Sequence, residues 1–134
     1  MARILVIDDD APVRAAIAAV LEASGFEVVA AENGHAGKKA IEASRFDAAV
    51  VDLFMPEMDG LETIRLFRQH RPDMPIVAVS GAISLFDYRD ALEPPPDYLS
   101  MATALGAATG VQKPFHPQEL LRALRQSIAM ADCA

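Results

Sequence analysis

The sequence feature that most constrains the fold is a short apolar run that stops at a carboxylate. Ala48-Ala49-Val50-Val51 is followed at once by Asp52, then by a loop that contains Pro56 and Gly60, and a helical pattern begins at Leu61. A carboxylate at the end of a buried strand is costly unless a charged partner meets it. Sites in open α/β sheets are built at the carboxyl ends of the strands. Asp52 is therefore a candidate reactive residue, although a lone Asp here would more often cap a turn.

Short apolar runs alternate with helical patterns along the chain. The predicted strands are Arg3 to Ile7, Phe26 to Ala31, Asp47 to Val51, Pro75 to Val79 and Ala108 to Gln112. The predicted helices run from an Asp10 N-cap to Gly25, from the Asn33-Gly34 turn to about Ala43, from Leu61 to before Pro72, from an Asp97 cap to Gly106, and across Leu120 to Ile128. This alternation predicts a parallel α/β sheet with helices on both faces and right-handed crossovers.

Length and charge restrict the class of protein. The 134 residues fit one domain spanning 1–134, and the net charge of −7 argues against unaided binding to nucleic acid or an anionic membrane. No apolar run approaches the length of a membrane span, and the N-terminal run stops at three acids, unlike a signal peptide. Cys133 is the single cysteine, so an internal disulfide is excluded. We therefore expect a cytoplasmic protein without membrane insertion.

Polar residues follow four of the five predicted strands. Asp8 and Asp9 follow the first, Asp52 the third, Ser80 the fourth and Lys113 the fifth. Because parallel strands share one carboxyl edge, these side chains are expected to meet there. Clustered carboxylates repel one another, and Mg²⁺ is the simplest cation to balance them. A carboxylate nucleophile, a metal and a lysine together suit transfer of a phosphoryl group onto an aspartate.

Four motifs at these strand ends carry a family resemblance. They are Ile4–Asp10, Asp52–Gly60, Ile76–Gly81 and Lys113-Pro114-Phe115. In this order they resemble the receiver domain of two-component response regulators, over nearly the whole chain. The resemblance implies a flavodoxin-like (βα)5 fold, a doubly wound parallel sheet with strand order 2-1-3-4-5.

The resemblance also implies a metal site and a phosphoacceptor. Asp52 would accept the phosphoryl group. Asp8 and Asp9 would bind Mg²⁺ together with Asp52, Asp9 directly and Asp8 through water, and the backbone carbonyl of Phe54 would supply a further ligand.

The remaining implied roles concern signalling. Ser80 would be the switch hydroxyl that turns toward the phosphoryl group, and Lys113 would pair with it. The donor would be a histidine kinase or a histidine phosphotransfer protein. The chain would be a stand-alone signalling switch rather than an enzyme, acting on a downstream protein partner with no direct nucleic-acid contact.

Two departures from the receiver pattern keep an alternative open. Gly110 stands where the family has its switch aromatic, and Lys113 follows Ser80 by 33 positions, longer than the common spacing. A pseudo-receiver, which binds proteins without phosphotransfer, is the alternative. A metal-dependent phosphatase is disfavoured, because Phe54 stands two residues after Asp52 where such enzymes want a second Asp.

The extra length predicts an extended loop at about 82–96, before the fourth helix. We hypothesise that this loop contacts the downstream target and that Phe86 or Tyr88 replaces the missing aromatic; a tolerated surface insertion is the competing interpretation.

Replacing both aromatics with Ala should abolish the phosphorylation-dependent change in the loop, measured by hydrogen exchange before and after phosphorylation. An unchanged response would contradict the hypothesis.

Overall fold

Strands and helices alternate throughout the computed structural model, which describes residues 2–53, 60–80, 98–112 and 115–132. The strands are β1 Arg3–Ile7, β2 Glu27–Ala31, β3 Ala48–Asp52, β4 Ile76–Ser80 and β5 Thr109–Gln112. The helices are α1 Ala11–Ala23, α2 Gly34–Ala43, α3 Gly60–His70, α4 Tyr98–Ala104 and α5 Pro117–Asp132. The extended loop predicted at 82–96 lies outside the described residues.

The five strands form one sheet in the order β2-β1-β3-β4-β5, and every neighbouring pair is parallel. This confirms the predicted flavodoxin-like fold and its strand order. β3 and β4 each extend one residue further than the sequence predicted, so that Asp52 and Ser80 are the last residues of their strands. Their backbones are therefore fixed by the sheet rather than by a loop.

The inner strands of the sheet, β1, β3 and β4, are buried on both faces, which explains why they are apolar without alternation. Successive residues of β1 point to opposite faces. Leu5 and Ile7 pack in the core under α2, α3 and α4, whereas Ile4 and Val6 pack in the core under α1 and α5. Two apolar layers thus hold β1 and its neighbours rigidly in place.

Polar caps begin the first two helices where the sequence indicates. The side chain of Asp10 accepts a hydrogen bond from the Val13 amide, and that of Asn33 accepts one from the Ala36 amide. Both are N-cap contacts that satisfy otherwise unpaired helix amides. The Asp10 cap fixes where α1 leaves the carboxyl end of β1.

Gly106 ends α4, as predicted, and Arg68 of α3 holds this turn. The φ of Gly106 is +117°, a conformation that favours glycine. The Arg68 guanidinium donates to the carbonyls of Gly106 and Pro72, at 2.8 and 2.6 Å. Burial lowers the pKa of Arg68, and the carboxylate of Asp73 acts in the opposite direction. These contacts lie at the end of the sheet opposite to Asp52.

Within the described ranges, no helix combines the length and the apolar character that a membrane span requires.

Close packing of α2 against β1 depends on Gly37. A Cβ at this position would overlap the Cδ1 atom of Ile7 and lie 2.9 Å from Cζ of Phe67. Both neighbours are almost fully buried, so they have little room to move.

Substituting Gly37→Ala should destabilise the protein by about 1–2 kcal/mol, because overpacking outweighs the better helix propensity of Ala. The double variant with Ile7→Val removes the overlapping methyl group. Its loss in free energy of unfolding should be smaller than the sum of the two single losses. Urea unfolding of the four proteins measures this coupling, and strict additivity would contradict the packing account.

Candidate functional site

The carboxyl end of β1 presents two acidic side chains in different environments. Asp8 is only 1 % exposed, whereas Asp9 is exposed. The Asp8 amide donates to the carbonyl of Ala31 on β2, at 3.3 Å, and Asp8 Oδ1 accepts from the Asp10 amide, at 2.9 Å. The sheet and the start of α1 therefore both fix Asp8.

Asp52 ends β3, the strand next to β1, and is 5 % exposed. Its backbone pairs with Val79 of β4, and the following Leu53 amide donates to the Val79 carbonyl at 2.9 Å. A Cβ at Gly60 would overlap the Asp52 carbonyl and the Leu53 Cα, so only glycine lets α3 begin this close to the strand end. The start of α3 thus lies directly against the backbone of Asp52.

The three carboxylates form one cluster. Asp8, Asp9 and Asp52 each place a carboxylate oxygen within 4.8 Å of the others. Hard divalent cations take oxygen ligands in this kind of arrangement. The structure therefore brings together the three acids that were expected to share a metal, all of which lie among the described residues.

Ser80 lies at the same edge of the sheet, on the strand next to Asp52. It is the last residue of β4, is 7 % exposed and pairs in register with Gln112 of β5. Asp52 pairs with Val79, so Ser80 is one residue beyond the backbone partner of Asp52. The backbone of Ser80 thus lies close to that of Asp52, and its role as a switch hydroxyl stays a prediction.

Several predicted site residues lie outside the described ranges. These are Phe54, Lys113 with the adjacent Pro114, and the aromatic residues Phe86 and Tyr88. Phe115, the last residue of the Lys113-Pro114-Phe115 motif, is half-buried. Together with residues of α1 and α5 it lines an apolar groove of about 400 Å³. Gly110 lies in β5, paired with Ala78, so the described structure has no side chain at that site.

Arg14 contacts this site but was missed in the sequence. It lies in the first turn of α1, and its Nη1 donates to the backbone carbonyl of Asp8 at 2.7 Å. The spacing Asp10-x-x-x-Arg14, which places a basic residue one turn after the N-cap, was the available signal. The helical pattern of the sequence does not show whether a long side chain contacts the loop that precedes the helix.

Comparison with known proteins agrees with this geometry. A family model, the response regulator receiver domain, matches residues 4–125. The chain belongs to this family. It is a receiver domain of the kind that response regulators carry in two-component signalling.

Curated relatives include the response regulator MprA of Mycolicibacterium vanbaalenii and of Mycobacterium avium. Each is 34% identical over 123 residues, which is 92% of this chain. The match covers 48% and 49% of those proteins, so the receiver domain spans about half the length of the curated relatives that it matches.

Solved receiver structures superpose over almost the whole chain. A CheY-like receiver domain protein from Methanospirillum hungatei is 27% identical with a TM-score of 0.83, covering 98% of this chain and 97% of that one. Vibrio cholerae chemotaxis protein CheY4 is 28% identical with a TM-score of 0.79, covering 95% and 98%. These values place the fold among CheY-like receivers.

Neutralising one acid should relieve the repulsion within the cluster. Asp9→Asn removes an exposed charge, so with a chelator present it should raise the free energy of unfolding by about 1 kcal/mol. This is the repulsion expected in water between two unit charges about 4–5 Å apart. Urea unfolding at low salt measures the gain, which should shrink at about 1 M salt.

The control is Glu22→Gln, which removes the same charge from an exposed position on α1 outside the cluster. It should change stability by less than about 0.5 kcal/mol. Equal effects of the two substitutions would show that net charge, not the cluster, is responsible.

Proposed function

We propose that this receiver domain is a phosphorylation switch in which Asp52 accepts a phosphoryl group from a phosphohistidine. The observation that supports the proposal is the clustering of three carboxylates within 4.8 Å at one edge of the sheet, with Asp8 and Asp52 almost fully buried. Repulsion within such a cluster is a cost that binding of a cation would offset.

The donor set fits Mg²⁺. Asp8, Asp9 and Asp52 would hold the ion, and the carbonyl of Phe54 would be a further ligand. All four supply oxygen atoms, the ligand type that hard cations require. When bound, Mg²⁺ would neutralise charge on the phosphoryl oxygens.

The chemistry proposed for the protein is a nucleophilic displacement at phosphorus. A carboxylate oxygen of Asp52 attacks in line, the bond between phosphorus and the donor imidazole nitrogen breaks, and an acyl phosphate forms. The sheet fixes the backbone of Asp52, so orientation contributes to the rate. Lys113 would pair with the phosphoryl oxygens as a point charge.

The output would come from the charge that phosphorylation adds beside β4. Ser80 is a hydroxyl donor at the end of that strand, and it would contact the phosphoryl oxygens in only one of two states. A group with such a differential interaction shifts the population of the two states. Ser80 would therefore report phosphorylation to the segment that follows it.

The partners would be proteins. A histidine kinase or histidine phosphotransfer protein would donate the phosphoryl group, and a downstream target would bind the switched state through the loop at 82–96, within a single receiver domain spanning 1–134. The net charge of −7 favours a protein target over direct contact with nucleic acid. A cytoplasmic location, where kinases hold their phosphohistidines, completes the proposal.

Intact mass spectrometry after incubation with Mg²⁺ and acetyl phosphate tests the chemistry. The native chain should gain one phosphoryl group, and the gain should disappear in Asp52→Asn and when Mg²⁺ is chelated. Asp73→Asn, which removes an exposed acid between α3 and β4, should behave like the native chain.

Failure of the native chain to gain mass, together with failure to bind Mg²⁺ in a calorimetric titration, would contradict the proposal. That result would favour a pseudo-receiver, a binding module that uses the fold without phosphotransfer.

A further inference from the structure

Arg14 links the first turn of α1 to the loop that carries the acidic pair. Its Nη1 donates to the backbone carbonyl of Asp8 over 2.7 Å, in a partly buried contact. Its own amide donates to the Asp10 carbonyl at 2.9 Å, which makes Arg14 part of the first helical turn. The backbone of Arg14 is therefore part of a helix, and its guanidinium binds the carbonyl of Asp8, the residue that follows β1.

Two further hydrogen bonds turn this contact into a closed network. The Asp10 amide donates to Asp8 Oδ1 at 2.9 Å, and the Asp10 side chain caps α1 through the Val13 amide at 3.3 Å. The Asp8 residue is thus held at its backbone by Arg14 and at its carboxylate by Asp10. Asp9 lies between these two attachments, so its backbone is restrained from both sides.

We propose that Arg14 is a positioning residue for the acidic pocket, which fixes the Asp8 carbonyl and so keeps Asp8 and Asp9 at the spacing that binds Mg²⁺. This inference rests on the proposed function, because it assigns Arg14 to the same metal. Arg14 would act through the backbone of the loop, by its hydrogen bond to the Asp8 carbonyl, rather than as a ligand of the ion.

Charge and geometry make opposite predictions for Arg14, which allows them to be separated. A guanidinium near the acids repels a cation, so removal of its charge alone would tighten Mg²⁺ binding. Loss of the hydrogen bond to Asp8 would loosen the loop and weaken binding, as removal of supporting contacts around metal ligands does in other sites. The sign of the change in affinity therefore identifies which effect dominates.

The experiment is a calorimetric Mg²⁺ titration of the full chain without a phosphoryl donor. Arg14→Met and Arg14→Lys should each weaken Mg²⁺ binding by about tenfold, since neither retains the guanidinium hydrogen bond. Unchanged or tighter binding in Arg14→Met would overturn the proposal.

Arg68→Met is the matched control. Arg68 is also a partly buried helix arginine that donates to backbone carbonyls, but at the opposite end of the sheet, at Gly106 and Pro72. Its substitution should leave Mg²⁺ affinity unchanged, even if it costs stability. An equal loss of affinity in both variants would assign the effect to general loosening of the fold and overturn the proposal.

A second measurement keeps the inference separate from the proposed function. Hydrogen exchange in the metal-free protein should show at least tenfold faster exchange of the Asp10 amide in Arg14→Met than in Arg68→Met, because that amide is bonded to the Asp8 carboxylate. Slow exchange in Arg14→Met would overturn the positioning role. Absence of Mg²⁺ binding in the native chain would instead contradict the proposed function, and the exchange result alone would then decide for or against the role of Arg14.

Discussion

Repulsion among three carboxylates is the constraint on which the rest of the structure depends. For the two almost fully buried acids, Asp8 and Asp52, an effective dielectric constant of about 20 gives a repulsion of roughly 3–4 kcal/mol between unit charges about 4–5 Å apart, whereas water screens the exposed Asp9. Asp8, Asp9 and Asp52 lie within this range of one another. Such a cost is a large part of the roughly 5–15 kcal/mol by which a domain is stable. A rigid backbone beneath the acids therefore helps to keep them together.

The sheet supplies that rigidity through its strand order. β1 and β3 are neighbours, with Ile7 in register with Val51, so Asp8 and Asp52 are carried by adjacent inner strands. Apolar layers cover both faces of these strands. Separating the acids would require breaking parallel pairing between two inner strands of the sheet. The core thus stabilises an arrangement of acids that, under the proposed function, would bind a cation.

The fold and the acidic cluster could be predicted from the sequence because both follow from local patterns. Short apolar runs that end at Asp8, Asp52 and Ser80 indicate buried strands with polar ends, and alternation with helices indicates a parallel sheet. The strand order came from the family resemblance, since spacing alone does not rank the possible orders. The comparisons support that family over residues 4–125.

The contact of Arg14 with Asp8 could not be predicted in the same way. A half-buried arginine on a helix has several carbonyls within reach, and the sequence does not distinguish them. The strand boundaries also shifted by one residue, which moved Asp52 from a loop into β3. Sequence patterns locate backbone elements, whereas long side chains and the last residue of a strand depend on tertiary packing.

The same packing restricts where a switch could act. Under the proposed function, a new charge beside Ser80 cannot rearrange β3 or β4, because their described residues are almost completely buried. α4 is different: of its side chains that the structure describes, Ala102 joins the core, whereas Met101 is 45 % exposed. Segments with few buried contacts change conformation at the lowest cost. Arg68 holds the turn at Gly106 after α4, so under the proposed function this turn would stay fixed during the response.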